Sequence, residues 1–89
     1  MKSLSQTKLF AKDVKRMAKR GKDLVKMRRV VTLLAHGEAL DSRFRDHPLR
    51  GEWIGSRDCH VEPDWVMIYT MDEKFLRLER TGTHADLFE

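Results

Sequence analysis

Eighty-nine residues make one domain, residues 1–89, with a single hydrophobic core too small to enclose a large substrate cavity. A hydrophobic fraction of 40% beside a charged fraction of 36% excludes a disordered chain, and no apolar run approaches the roughly 20 residues of a membrane-spanning helix. The net charge of +4 is uneven: residues 1–36 carry eleven lysines or arginines against Asp13 and Asp23, a net +9, which leaves −5 for residues 37–89.

A basic half is the footprint of a polyanion partner such as RNA, and it is equally the surface of a solvated helix pair. The single cysteine, Cys59, makes no internal disulfide and supplies too few thiolates for structural zinc. With no signal-peptide apolar block, the expected location is the cytoplasm, away from membrane.

In chain order, a short strand is expected at Lys2 to Gln6, where Leu4 sits among polar residues. From Thr7, the residues Phe10, Val14, Met17 and Ala18 recur at i, i+4, i+7 and i+8, an amphipathic helix that Gly21 ends. Asp23 opens a second helix with the stripe Leu24, Met27, Val30, Val31 and Leu34, ending at Gly37. Three short strands follow at Trp53 to Val61, Trp65 to Tyr69 and Phe75 to Glu79, separated by turn-like Glu62-Pro63-Asp64 and Met71-Asp72-Glu73-Lys74. The order β-α-α-β-β-β predicts an α+β fold in which a two-helix hairpin packs on one face of a small antiparallel sheet. Alternation turns Cys59, Val61, Val66, Ile68, Leu76 and Leu78 toward the helices and puts His60, Trp65 and Tyr69 on the open face. Arg80 shares the parity of Leu78 and joins the open face only if the strand has ended or bulged.

Three of the four histidines fall among polar or turn residues of the second half: His47, His60 and His84. Imidazole gives and accepts protons near neutral pH, so two of them flanking a phosphodiester can cleave RNA by drawing the 2′-hydroxyl onto the adjacent phosphate, with a cation such as Arg80 stabilising the phosphoryl oxygens. DNA lacks that hydroxyl. Each histidine alone reads more readily as an ordinary surface residue, and three together shift that balance only modestly. His60 and Asp64 with His47 or His84 also resemble a metal-ligand set, although no HExxH or paired-cysteine motif accompanies them. Asp64, beside Pro63 at a turn, suits a carboxylate that orients His60 or one that caps the turn. Trp65 and Phe88 are candidates for stacking on unpaired bases, or for the core; for Trp53, packing is favoured.

His47-Pro48-Leu49 with Gly51, Arg57-Asp58-Cys59-His60, Pro63-Asp64-Trp65, Ile68-Tyr69 and the closing run Leu78-Glu79-Arg80-Thr81-Gly82-Thr83-His84-Ala85-Asp86-Leu87-Phe88 together resemble the YafQ branch of the RelE/ParE toxin superfamily. The resemblance implies a type II toxin that enters the ribosomal A site and cuts messenger RNA without cofactor or metal. It also implies a DinJ-like antitoxin as partner, with operator DNA met only through the antitoxin complex. By the same resemblance His84 is the general acid, His47 or His60 the base or its electrostatic helper, and Asp64 their support. Arg80 binds the scissile phosphate, Trp65 and Phe88 shape a base pocket, and Lys12, Lys15, Arg16, Lys19, Arg28 and Arg29 hold RNA phosphates. The rival readings are a non-catalytic ParE-like toxin and a plain RNA-binding or corepressor module of the same fold.

Overall fold

The structure is a computed structural model that describes residues 1–88. Ser3–Gln6 forms β1, Lys8–Lys19 forms α1 and Leu24–Ala35 forms α2; His47–Pro48 is β2, Arg57–Glu62 β3, Trp65–Met71 β4 and Phe75–Gly82 β5, and His84–Phe88 closes the order as α3. The Thr7 hydroxyl starts α1 by accepting from the Phe10 amide at 3.0 Å, and it ties the helix to the sheet by donating to the Glu79 carbonyl at 2.7 Å. Gly21, at φ +84°, ends the helix: its amide bonds the Ala18 carbonyl while that of Lys22 bonds Met17. Asp23 caps α2 through the Val25 amide at 3.0 Å, as its position before the apolar stripe predicts.

The two helices pack on one face of a five-stranded sheet ordered β1-β5-β4-β3-β2. Phe10 and Met17 from α1 and Met27, Val30, Val31 and Leu34 from α2 meet Cys59, Val61, Trp65, Met67, Tyr69, Leu76 and Leu78 in one core. Each large side chain so buried contributes about 1.5–3 kcal/mol relative to exposure.

Four sequence expectations are corrected. The sheet is mixed, not antiparallel, because β1 runs parallel to β5, pairing Ser3–Gln6 with Phe75–Leu78 after the helical hairpin has carried the chain across the sheet face. The stretch from Trp53 to Gly55 is not strand: Gly51–Trp53 is a 3-10 turn and β3 begins at Arg57. Ala18 lies exposed, while Asp13 takes its place on the buried side of α1. Finally, β4 is turned over, with Trp65 and Tyr69 among the residues facing the helices and Val66 and Ile68 on the other face. The run Trp65-Val66-Met67-Ile68-Tyr69 is apolar at every position, so alternation carries no sign there, and an irregular register between His60 and Glu62 resets the parity across the hairpin.

Candidate active site

Cross-strand partners share a face, so the register assembles the open face in two rows. The first runs Arg80, Ile68, Asp58, His47 across β5, β4, β3 and β2; the second runs Gly82, Val66, His60. With about 4.8 Å between strands, the first row spans about 14 Å, and the second lies about 6.6 Å along the strands. Val66 and Ile68 are fully buried and form the apolar floor.

Arg80 reaches this face through the bulge that its parity demanded. Ile68 pairs with Arg80 and Tyr69 with Leu78, which leaves Glu79 as the extra residue and lets Leu78 enter the core while Arg80 sits opposite Ile68. Beyond the residues paired with β1, the edge of β5 is met by α1. The buried Asp13 carboxylate accepts from the Thr81 amide at 3.1 Å, from Arg80 Nε at 2.7 Å and Nη2 at 3.1 Å, and from Arg16 Nη2 at 2.9 Å. Arg80 Nη1 makes none of these bonds.

His84 is the first residue of α3, a helix that the strand-and-turn pattern of the sequence did not announce. Thr83 and Asp86 cap that short helix reciprocally: the Thr83 amide donates to Asp86 Oδ2 at 2.9 Å and the Asp86 amide to Thr83 Oγ1 at 3.2 Å. Arg20 then clamps Asp86 with two bonds of 2.6 and 3.1 Å and holds its carboxyl well below the usual carboxylate range. A Cβ at Gly82 would lie 2.9 Å from Asp86 Oδ2 and 3.1 Å from Arg16 Nη2, so a larger residue there would displace the Asp86 and Arg16 side chains.

His47 rides on β2, which Asp46 anchors by accepting from the Tyr69 hydroxyl and, at 3.2 Å, from Arg57 Nε. Its ring Nδ1 lies 2.6 Å from the Arg45 carbonyl, and that of His60 lies 3.1 Å from the Pro63 carbonyl. A carbonyl only accepts, so both rings carry hydrogen on Nδ1, and in each neutral imidazole the lone pair is on Nε2. Asp58 lies beneath with 2% of its surface exposed; burial pushes its carboxyl up, while positive charge on His47, His60 and His84 draws it down. His47, 3.1 Å from Asp58 Oδ1, and His60 therefore share the face of this buried carboxylate, and His84 begins the helix that follows Gly82 of the second row. Among the described residues no group of three or more His, Cys, Asp or Glu is spaced to hold a metal ion.

Three assigned roles change. Trp65 is fully buried and donates from Nε1 to Thr81 Oγ1 at 2.8 Å, so it is core and offers no face to a base. In its place Trp53 lines, with Phe88, Leu49, Arg50, Glu52 and Leu87, an open cleft of about 420 Å³, and the Phe88 ring lies 4.9 Å from that of His84. Asp64 makes no bond to the His60 imidazole; it accepts from the His84 backbone amide at 3.1 Å and so fixes the start of α3. Of the basic residues, Lys12, Lys15, Lys19, Arg28 and Arg29 are exposed, whereas Arg16 is drawn inward to Asp13 and the Thr81 carbonyl. A second, larger groove of about 750 Å³ opens beside His60, lined by Val30, Leu33 and Phe44, by Arg29, Arg43 and Arg45, and by Asp41 and Glu62, the last paired with Lys26.

Sequence reasoning assigned nothing to Asp58 or Asp13, yet each carried a signal. Asp58 has the parity of His60 in a strand whose other side is Cys59 and Val61. Asp13 falls between Phe10 and Met17 on the apolar stripe, where a carboxylate needs buried donors.

A helical hairpin laid over one face of a small mixed sheet is the architecture of small bacterial toxins of type II toxin–antitoxin systems. The sequence matches the family described as "Bacterial toxin of type II toxin-antitoxin system, YafQ" over residues 2–89. The mRNA interferase toxin YafQ of Escherichia coli K12 is 52% identical over 80 residues, spanning 89% of this chain and 87% of that protein. A putative toxin YafQ of Haemophilus influenzae is 33% identical over 89 residues, 92% and 87% of the respective chains. The crystal structure of the E. coli DinJ-YafQ complex superimposes with a TM-score of 0.93 at 47% identity, covering 100% of each chain. This chain belongs to the YafQ family of type II toxins.

Proposed function

We propose that the protein is a messenger RNA endonuclease acting on translating ribosomes, with His47 or His60 as general base and His84 as general acid, silenced by a DinJ-like antitoxin in the cytoplasm. The observation that carries this reading is the placement of His47, His60 and Arg80 on one face of the sheet, with His84 two residues beyond Gly82 at its edge. The bare Nε2 of His47 or His60 takes the proton of a ribose 2′-hydroxyl, whose oxygen attacks the adjacent phosphorus. His84 protonates the departing 5′-oxygen, and Arg80, steadied by Asp13 with Nη1 left over, stabilises the phosphoryl charge. A base next to the scissile phosphate stacks in the cleft of Trp53 and Phe88, a contact worth about 1–3 kcal/mol.

Lys12, Lys15, Lys19, Arg28 and Arg29 bind ribosomal RNA phosphates, and the arginine-rimmed groove beside His60 receives an acidic segment of the antitoxin. Operator DNA is met only through that antitoxin. No described helix is long and apolar enough to cross a membrane.

The test is incubation of the purified protein with translating ribosomes. Wild type cleaves the message, and His84→Ala binds ribosomes but does not cleave; undiminished cleavage by His84→Ala overturns the acid assignment. A wild-type protein that binds without cutting would instead favour the ParE-like or RNA-binding alternatives. Cleavage of free RNA that disappears with EDTA would refute the metal-free chemistry.

A further inference from the structure

Asp58 is the least explained group on the open face. His47 Nδ1 has a single hydrogen, and the Arg45 carbonyl at 2.6 Å is the closer acceptor; Asp58 Oδ1, 3.1 Å from the same nitrogen, is left buried without a donor. A buried carboxylate oxygen in that state costs free energy that a purely structural residue would not retain, since an apolar side chain of similar size would fill the space more favourably. Burial opposes its ionisation most; the charges that reach it are His47 on β2, His60 on its own strand and His84 on α3, which favour the carboxylate, and Asp46 in the loop before β2, which adds to the effect of burial.

We propose that Asp58 is a positioning residue for the cleavage reaction: its buried carboxylate fixes His47 across the β2–β3 ladder and supplies the counter-charge for the imidazolium that forms as the 2′-hydroxyl proton is taken up. The carboxylate does not touch the substrate and transfers no proton. Its interaction with the His47 ring, 3.1 Å away, is electrostatic. This inference rests on the acid/base reading above and adds to it the group that lets one imidazole gain a proton while another still holds its own.

The experiment compares wild type with Asp58→Asn in ribosome-bound cleavage from about pH 5 to 9. The amide matches the carboxylate in size and keeps an oxygen facing His47, so it removes charge and little else. The expected result is a fall in kcat of about tenfold or more with KM unchanged, and an acidic limb of the pH profile displaced from its wild-type position. Asp58→Asn with wild-type kcat and an unmoved profile overturns the proposal, as does a loss confined to KM. If the amide lowers the melting temperature into the assay range, the same comparison is made at a lower temperature, where both proteins remain folded. Failure of wild type to cleave at all would strike the acid/base reading itself, whereas wild-type cleavage that Asp58→Asn leaves unaltered strikes this inference alone.

Discussion

Replacing Asp13 by asparagine tests the joint between α1 and the active face. The carboxylate, 2% exposed, accepts two bonds from Arg80, one from Arg16 and one from the Thr81 amide. Asparagine keeps one acceptor oxygen and turns an NH2 toward groups that are themselves donors. Breaking a buried ion pair from one side costs about 3–5 kcal/mol. The Arg80 and Arg16 side chains retain 22% and 38% exposure, and that water access sets the expected loss at the lower end, about 3 kcal/mol. A domain of this size loses about 4–8 °C of melting temperature per kcal/mol, so Asp13→Asn should melt about 12–24 °C below wild type. Thermal unfolding followed by circular dichroism, checked for reversibility, measures it. A drop under about 4 °C would mean that the four bonds contribute no net stability and that Arg80 is positioned by something else.

Trp65→Phe removes the Nε1 bond to Thr81 but keeps most of the buried ring, and should lose about 1–3 kcal/mol of stability while cleavage per folded molecule stays near wild type; a selective loss of cleavage would return Trp65 to the base pocket. The carboxyls of Asp86 and Glu62 are held low, Asp86 by its bond to Arg20 and Glu62 by Lys26 and Lys22. Their stabilisation is therefore present above the ordinary carboxylate range, about pH 4, and fades as pH falls through their folded values, so the acid decline of the melting temperature should be shallower in Asp86→Asn; superimposable slopes would contradict the clamp. Exchanging Lys12, Lys15 and Lys19 for glutamine should leave the melting temperature within a few degrees of wild type, weaken ribosome association and flatten its salt dependence, and an unchanged salt slope would remove those residues from the RNA contact.

The helices were legible because their stripes and end signals agree: Thr7, Asp23, Gly21 and Gly37 act where local chemistry puts them. The histidine segments were legible in residue type, and Arg80 even announced its bulge by violating parity. What stayed hidden depends on partners distant in sequence. β1 reads as a strand, but its direction relative to β5 is decided by how the hairpin returns the chain. The faces of β4 were unreadable because a strand apolar on both sides has no period-2 contrast. For the same reason Trp65, drawn under the helices by the reset register, read as open-face; Trp53 is left beside Phe88 by the turn that begins at Gly51. Asp64 lay where the reading put it, at a turn beside His60, but its acceptor oxygen serves a backbone amide 20 residues on.

Strand β5 comes last in sequence yet lies inside the sheet, between β1 and β4. A chain lacking residues 75–88 would therefore lack an interior plank, the anchor of its first strand, Arg80 and His84 together. Such a fragment has no half-armed intermediate open to it: it should be proteolysed as unfolded polypeptide and leave its host unharmed.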